Sequence, residues 1–263
     1  MKESGVSSTG LIAAGVAAAY RNLVPAWRGA WASLLFCGLT WGLWRASMMQ
    51  TPRAPSALAW FGLTAVAGLM AKGAVFRLAL GRGPVGPGGL QLGRVELRLI
   101  LVGLLTAAFL GILGLLYFVV LICTGYAVAS SGPGFDLAQV ATWSPAIVGN
   151  GRIAFGVVAA SGAAAMVWAA TRISLAAAVT VASGKLAVLS TWPLTRGRVV
   201  PIVIAALATA ALPLAALALS SIVLRGLDAP GAYAARVALG VVLAGVWVPL
   251  SIGLAAYLYR RLA

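Results

Sequence analysis

Histidine is absent from this chain, and its 263 residues include only two cysteines and four acids. Without imidazole, His-based acid–base catalysis, haem ligation and the usual zinc sites fall away. Four carboxylates leave little material for paired-acid chemistry. Charge is scarce altogether: 9% of the residues are Asp, Glu, Lys or Arg, where a soluble domain carries about 25%. Hydrophobic residues make up 62%, so a water-soluble fold would expose much of its apolar surface. The composition predicts an integral membrane protein with no metal, no cofactor and no recognisable catalytic residues.

What is abundant is long uncharged sequence. A hydrocarbon core of about 30 Å takes about 20 apolar residues as helix, because lipid offers the backbone no hydrogen-bond partners. Six stretches are read as spans, at about 29–45, 56–76, 99–125, 153–171, 199–224 and 237–259. The third lies in an uncharged run from Leu99 to Phe135, and the breaker Ser131–Gly134 predicts one long helix ending near Ala129. Continuous apolar runs exclude the alternating strands of a β-barrel. The expected fold is therefore all-α: a six-helix transmembrane domain over 29–263, preceded by a cytoplasmic or interfacial segment over 1–28. Within that segment Ser8–Asn22 reads as a helix lying in the interface. A cleaved signal peptide is the alternative reading there.

Six spans put both ends on one side, and positive charge chooses the side. With the termini lie Lys2, Arg21, Arg28, Lys72, Arg77, Arg82, Arg94, Arg98, Arg172, Lys185, Arg196, Arg198, Arg260 and Arg261, fourteen cations. The other side has five: Arg45, Arg53, Arg152, Arg225 and Arg236. Positive residues stay inside, which predicts a bacterial cytoplasmic (inner) membrane protein with both termini in the cytoplasm. Trp27, Trp31, Trp41, Trp44, Trp60 and Trp168 then fall near span ends, where indoles prefer to sit. Trp247 falls mid-span beside Pro249.

Three units share a layout in which a basic segment precedes a two-helix hairpin. The middle basic segment contains Gly81-Arg82-Gly83-Pro84-Val85-Gly86-Pro87-Gly88-Gly89, too rich in breakers for helix. It lacks the lysine and hydroxyl residue of a phosphate-cradling P-loop and reads as a flexible linker. The third segment, 172–198, reads as an amphipathic helix at the inner surface. Leu175, Val179, Ala182, Leu186 and Leu189 share one face, and Lys185, Arg196 and Arg198 lie at headgroup level.

Arg172, Gly184, Trp192, Leu194, Thr195, Arg196 and Gly197 form a pattern that resembles the signature of a bacterial membrane-domain family. It is the membrane domain that precedes the catalytic domain in some glycerophosphodiester phosphodiesterases, and it also occurs alone. Tyr20-Arg21-Asn22 is similar to the family's opening helix. Ser183 and Thr191 stand where the family has glutamate and serine. The resemblance implies a six-span fold and a member without the catalytic domain, since that domain bears histidine and clustered carboxylates.

Few residues carry other candidate chemistry. Cys37 and Cys123 fall within spans and read as small hydrophobes. Lys72 and Arg77, near the inner end of the second span, either snorkel to the headgroups or line a polar pathway. Glu96 has Arg94 and Arg98 beside it as partners. Pro201 sits in the first turn of its span, where it costs little; Pro213 and Pro249 read as kinks that serve packing. Gly156-x-x-x-Ala160-x-x-x-Ala164 and Gly240-x-x-x-Ala244 offer close helix contacts, for the fold itself or for a membrane-protein partner.

The expected function is a non-catalytic membrane module that contacts membrane phospholipids through Lys185, Arg196 and Arg198, or binds a partner. A transporter or channel for a small or anionic solute, using Lys72 and Arg77, is the alternative. An intramembrane lipid enzyme ranks last, since no nucleophile–base pair is recognisable. Nucleic acid is excluded as a partner because the cations are dispersed between spans, with no basic domain.

Overall fold

Alanine- and leucine-rich runs interrupted only by isolated Gly or Pro favour helix over every other state. In the computed structural model, which describes residues 8–50, 55–130, 150–226 and 229–263, they form it throughout. Among these residues all regular elements are helical. They are α1 (Ser8–Arg21), α2 (Leu23–Gln50), α3 (Pro55–Leu80), α4 (Arg94–Ala129), α5 (Asn150–Ile173), α6 (Ala176–Ser183), α7 (Val199–Val223) and α8 (Ala229–Leu262). Short 3-10 turns occur at Pro87–Gly89, Leu189–Thr191 and Leu224–Gly226.

Among the described residues five stretches are long and apolar enough to cross a membrane: Ser56–Leu80, Pro87–Ala129, Gly151–Ser183, Val199–Ser220 and Pro230–Leu262. The long uncharged run is one helix ending at Ala129, as its breaker predicted. The expected first span, 29–45, is not among the five. It lies within α2, a helix of 28 residues that leaves regular geometry at Ala30 (φ −130°, ψ 23°). Four tryptophans with glycine, serine, threonine and two arginines lower its hydropathy, and α2 packs along α3 and α8. Ser33 and Thr40 are buried there and donate to Ala30 O and Phe36 O, each at 2.9 Å.

The chain divides into two units, Met1–Gly103 with Ser174–Ala263, and Leu104–Ile173. The three basic-segment-plus-hairpin units thus do not stand as three bodies. The smaller unit is an antiparallel hairpin of α4 and α5, in which the Tyr117 hydroxyl donates to Ala159 O at 2.7 Å. The Tyr117 ring occupies the space a Cβ on Gly162 would need. By contrast, nothing lies within 4 Å of a Cβ built on Gly156. The hairpin therefore closes through Gly162, which lies between Ala160 and Ala164 and off the face of the small-residue ladder singled out in the sequence.

In the larger unit α2 and α8 meet backbone to backbone. A Cβ on Gly42 would stand 2.7 Å from the Val237 Cα, and one on Gly240 would stand 2.5 Å from Gly38 O. Glycine lets helix axes approach this closely. Gly240 was legible as a packing residue; its counterpart, Gly38-x-x-x-Gly42, was not recognised. Further along the same seam, Pro249 has no N–H to give the carbonyl four residues before it. Trp27 Nε1 donates to that carbonyl, Gly245 O, at 2.9 Å, and Asn22 Nδ2 donates to Pro249 O at 2.9 Å. Trp27, expected near the end of its span, supplies the donor that the proline lacks. On α1 the residues Leu11, Gly15 and Ala19 are buried, and the helix packs against α7 and α8.

The predicted surface helix over 172–198 is shortened to Ala176–Ser183. Gly184 ends it in the left-handed region (φ 68°), its N–H donating to Thr180 O. The Thr180 hydroxyl then accepts the Ala187 N–H at 3.1 Å, which folds the chain back. Leu175, Ala178, Thr180 and Val181 are all buried; Ala177 and Val179 are half-buried, and Ser183 at the end of α6 is exposed. Leu186 and Leu189, expected on the apolar face of one continuous helix, lie beyond the end of α6 and are exposed.

Two glycine replacements separate these seams. Gly240→Leu should destabilise the larger unit by about 1–3 kcal/mol through overpacking, whereas Gly156→Leu should leave stability unchanged. Thermal unfolding in detergent, followed through the accessibility of buried Cys37, reads both. Trp27→Phe should cost about 1–3 kcal/mol, the penalty of a buried acceptor left without its donor.

Candidate functional site

Three helix ends converge at one end of the larger unit. Helix α3 finishes in a Schellman turn in which Gly81 (φ 64°) takes the left-handed position. Arg82 N–H donates to Arg77 O at 3.0 Å and Gly81 N–H to Leu78 O at 3.4 Å, the pairing that relieves terminal carbonyls. Ala79 O, the next carbonyl, accepts from the Arg260 guanidinium of α8. The negative end of one helix is thus closed by a glycine turn and a cation.

Glu96 sits in the first turn of α4, at the positive end of that helix dipole. Its Oε2 accepts the Gly93 N–H at 2.9 Å, the reach-back of a capping box. Its Oε1 pairs with Arg77 Nη2. Both side chains are almost fully enclosed, at 4% and 1% exposure. Each charge also occupies the helix end whose dipole favours it: Arg77 in the last turn of α3, Glu96 in the first of α4. Gly73 makes the pair possible, since any Cβ there would overlap the Glu96 carboxylate. Arg77 Nη1 remains buried without a protein acceptor. The partner of Glu96 is therefore a residue 19 positions earlier, in place of the neighbouring Arg94 and Arg98 that the sequence suggested.

The segment joining these ends, read from sequence as a flexible linker, is a packed turn. Gly89 is buried in the 3-10 turn at Pro87–Gly89. A Cβ on it would stand 2.6 Å from Ser33 Oγ and 3.0 Å from the Ala30 Cα, at the kink of α2. Gly86 N–H donates to Gln91 Oε1 at 2.9 Å, closing the loop on itself.

Lys72 and Arg77 do not converge. Five residues apart on a helix places them about 140° apart around its axis: Lys72 is exposed and Arg77 enclosed. Lys185, Arg196 and Arg198 all lie in the non-helical stretch between α6 and α7. Lys185 and Arg196 are exposed and Arg198 is half-buried. Turns at Pro193–Arg196 and Thr195–Arg198 shape that stretch, anchored by fully buried Thr191 and Thr195. Cys37 is buried, Cys123 is exposed, and both are free thiols. In the smaller unit the Arg172 guanidinium stacks on Trp168, 5.0 Å from the ring centroid.

Glu96 is the one acid among the described residues, and Arg77 with Gly93 N–H occupies it. The remaining cations of the larger unit therefore have no described carboxylate to pair with. Arg82, Arg94, Lys185, Arg196, Arg260 and Arg261 are exposed. The described part of that surface is therefore basic, with no carboxylate among the described residues beside these cations.

Removing one partner of a buried pair strands the other charge. Glu96→Gln or Arg77→Met should each destabilise by about 3–5 kcal/mol, while Arg77→Met with Glu96→Leu should recover most of that loss. A double-mutant cycle on thermal unfolding in detergent measures the coupling. Additive losses would show that the two side chains act independently.

Comparison with protein-family models, with curated proteins and with solved structures finds no match to this chain.

Proposed function

We propose that this chain is a non-catalytic, multi-pass module of the bacterial cytoplasmic membrane that works by holding anionic phospholipid headgroups at its basic, inward-facing end. The observation that carries the reading is the imbalance of charge. Nineteen Lys and Arg face four Asp and Glu over the whole sequence, and the one described acid is already paired. A cation near an anionic leaflet is worth about 1 kcal/mol, so a cluster of them favours lipid strongly. Lys185, Arg196 and Arg198 are the headgroup contacts.

The proposed topology has six spans with both termini in the cytoplasm, α2 being the sixth. Its 28 residues reach about 42 Å at 1.5 Å per residue. It packs along α3 and α8, each of which is apolar enough to cross. A helix walled by other helices needs less hydropathy than one facing lipid. The signature segment around Gly184 and Trp192–Gly197 supports membership of the membrane-domain family it resembles. Transport through Lys72 and Arg77 receives no such support, because the two side chains point to different surroundings.

Lys185→Gln with Arg196→Gln and Arg198→Gln should reduce the anionic phospholipid that co-purifies with the protein, with zwitterionic lipid unaffected. Thin-layer or mass-spectrometric lipid analysis reads the outcome, and an unchanged anionic fraction would refute the assignment. Cysteine labelling of tags at the two ends, expected to be protected in intact cells, tests the topology.

A further inference from the structure

We infer that Arg98 and Lys185, placed together by Gly184, form a discrete site for the phosphate of an anionic diacyl phospholipid. The inference rests on the lipid-contacting reading above and names the site within it. Arg98 stands in the second turn of α4 and is half-buried. Its Nη1 lies 3.3 Å from where a Cβ on Gly184 would be. Gly184 is the left-handed corner that ends α6, so glycine there both permits the turn and leaves room for the guanidinium. Lys185 follows directly and is exposed, its N–H held by Ser183 Oγ at 3.2 Å. The Arg98 guanidinium thus lies against the backbone corner from which the Lys185 side chain leaves.

Neither cation has an acid to neutralise it among the described residues, since Glu96 faces Arg77 on a different side of α4. An anion between them relieves their repulsion. A guanidinium fork with an ammonium beside it suits phosphate oxygens, the first by paired hydrogen bonds and the second as a point charge. The surroundings decide the source of that phosphate. Leu97 and Leu101 flank Arg98 on α4 at 58% and 40% exposure, and Leu186 and Leu189 follow Lys185 at 50% and 61%. Four exposed leucines close in sequence to the two cations would be a liability beside water. They suit a ligand that brings acyl chains beneath its phosphate.

Native mass spectrometry of the purified full chain, titrated with phosphatidylglycerol and with phosphatidylcholine, tests the site. The wild type should bind one phosphatidylglycerol more tightly than any phosphatidylcholine. Arg98→Gln with Lys185→Gln should weaken that event about tenfold, equivalent to about 1.4 kcal/mol. Arg98→Lys should lose part of it, keeping the charge without the fork, and Arg152→Gln, an exposed cation assigned to the opposite side, should leave it within about twofold. If the double variant fails to fold, judged by Cys37 accessibility, Lys185→Gln alone carries the same expectation. Unchanged binding in the folded variants, with the wild type still preferring phosphatidylglycerol, would overturn the site and leave the broader reading standing. A wild type with no such preference would overturn both. Displacement by inorganic phosphate, or equal binding of the deacylated headgroup, would assign a soluble anion and also overturn the proposal.

Discussion

The junction of α3 with α4 depends on one buried ion pair, Arg77 with Glu96. Enclosing two charges is costly unless their remaining hydrogen-bonding capacity is met. Here the carboxylate also caps the start of α4 through Gly93 N–H, and the two helix dipoles add their partial charges with the favourable sign. The pair in turn demands Gly73 beneath the carboxylate and a turn that brings residue 96 back to residue 77. The glycine- and proline-rich segment at Gly81–Gly93 supplies that turn. Its packing against the kink of α2 ties a third helix to the same junction.

The second constraint is the seam between α2 and α8. Glycines on both helices bring the backbones into contact, and this proximity lets Trp27 and Asn22 reach the carbonyls around Pro249. Proline inside an apolar helix leaves a carbonyl that lipid cannot satisfy. In this chain a neighbouring helix satisfies it. Close packing and polar satisfaction are the same feature seen twice, because only a close helix can lend its donors.

Much of the architecture was legible from uncharged length. The helices containing five of the six expected spans are apolar and long enough to cross a membrane, and the end of α4 at Ala129 followed from its Gly-Pro breaker. Hydropathy was least informative for α2, which owes its environment to other helices. The stretch 172–198 was misjudged because i, i+4, i+7 spacing cannot show that Gly184 takes a left-handed turn, or that Thr180 captures the Ala187 N–H. The ion pair was misjudged for a related reason: sequence proximity offered Arg94 and Arg98 to Glu96, and only tertiary structure offers Arg77. Lys185, Arg196 and Arg198, expected on that helix, lie beyond its end at Ser183, and Arg98 gave no signal, since its significance comes from the corner it touches.

Acid scarcity links fold and surface. A protein with ordinary numbers of Asp and Glu neutralises its cations internally, and its surface field averages out. Here the described acid is drawn into the core, where it neutralises the enclosed cation Arg77. That arrangement fixes the helix junction and at the same time withdraws the counter-charge from the neighbouring surface. Arg98 lies two residues from Glu96 yet faces Gly184, so the helix that buries the carboxylate presents an uncompensated guanidinium on its other side. The same turn of α4 therefore joins the core and charges the surface, where no carboxylate among the described residues balances Arg98 and Lys185.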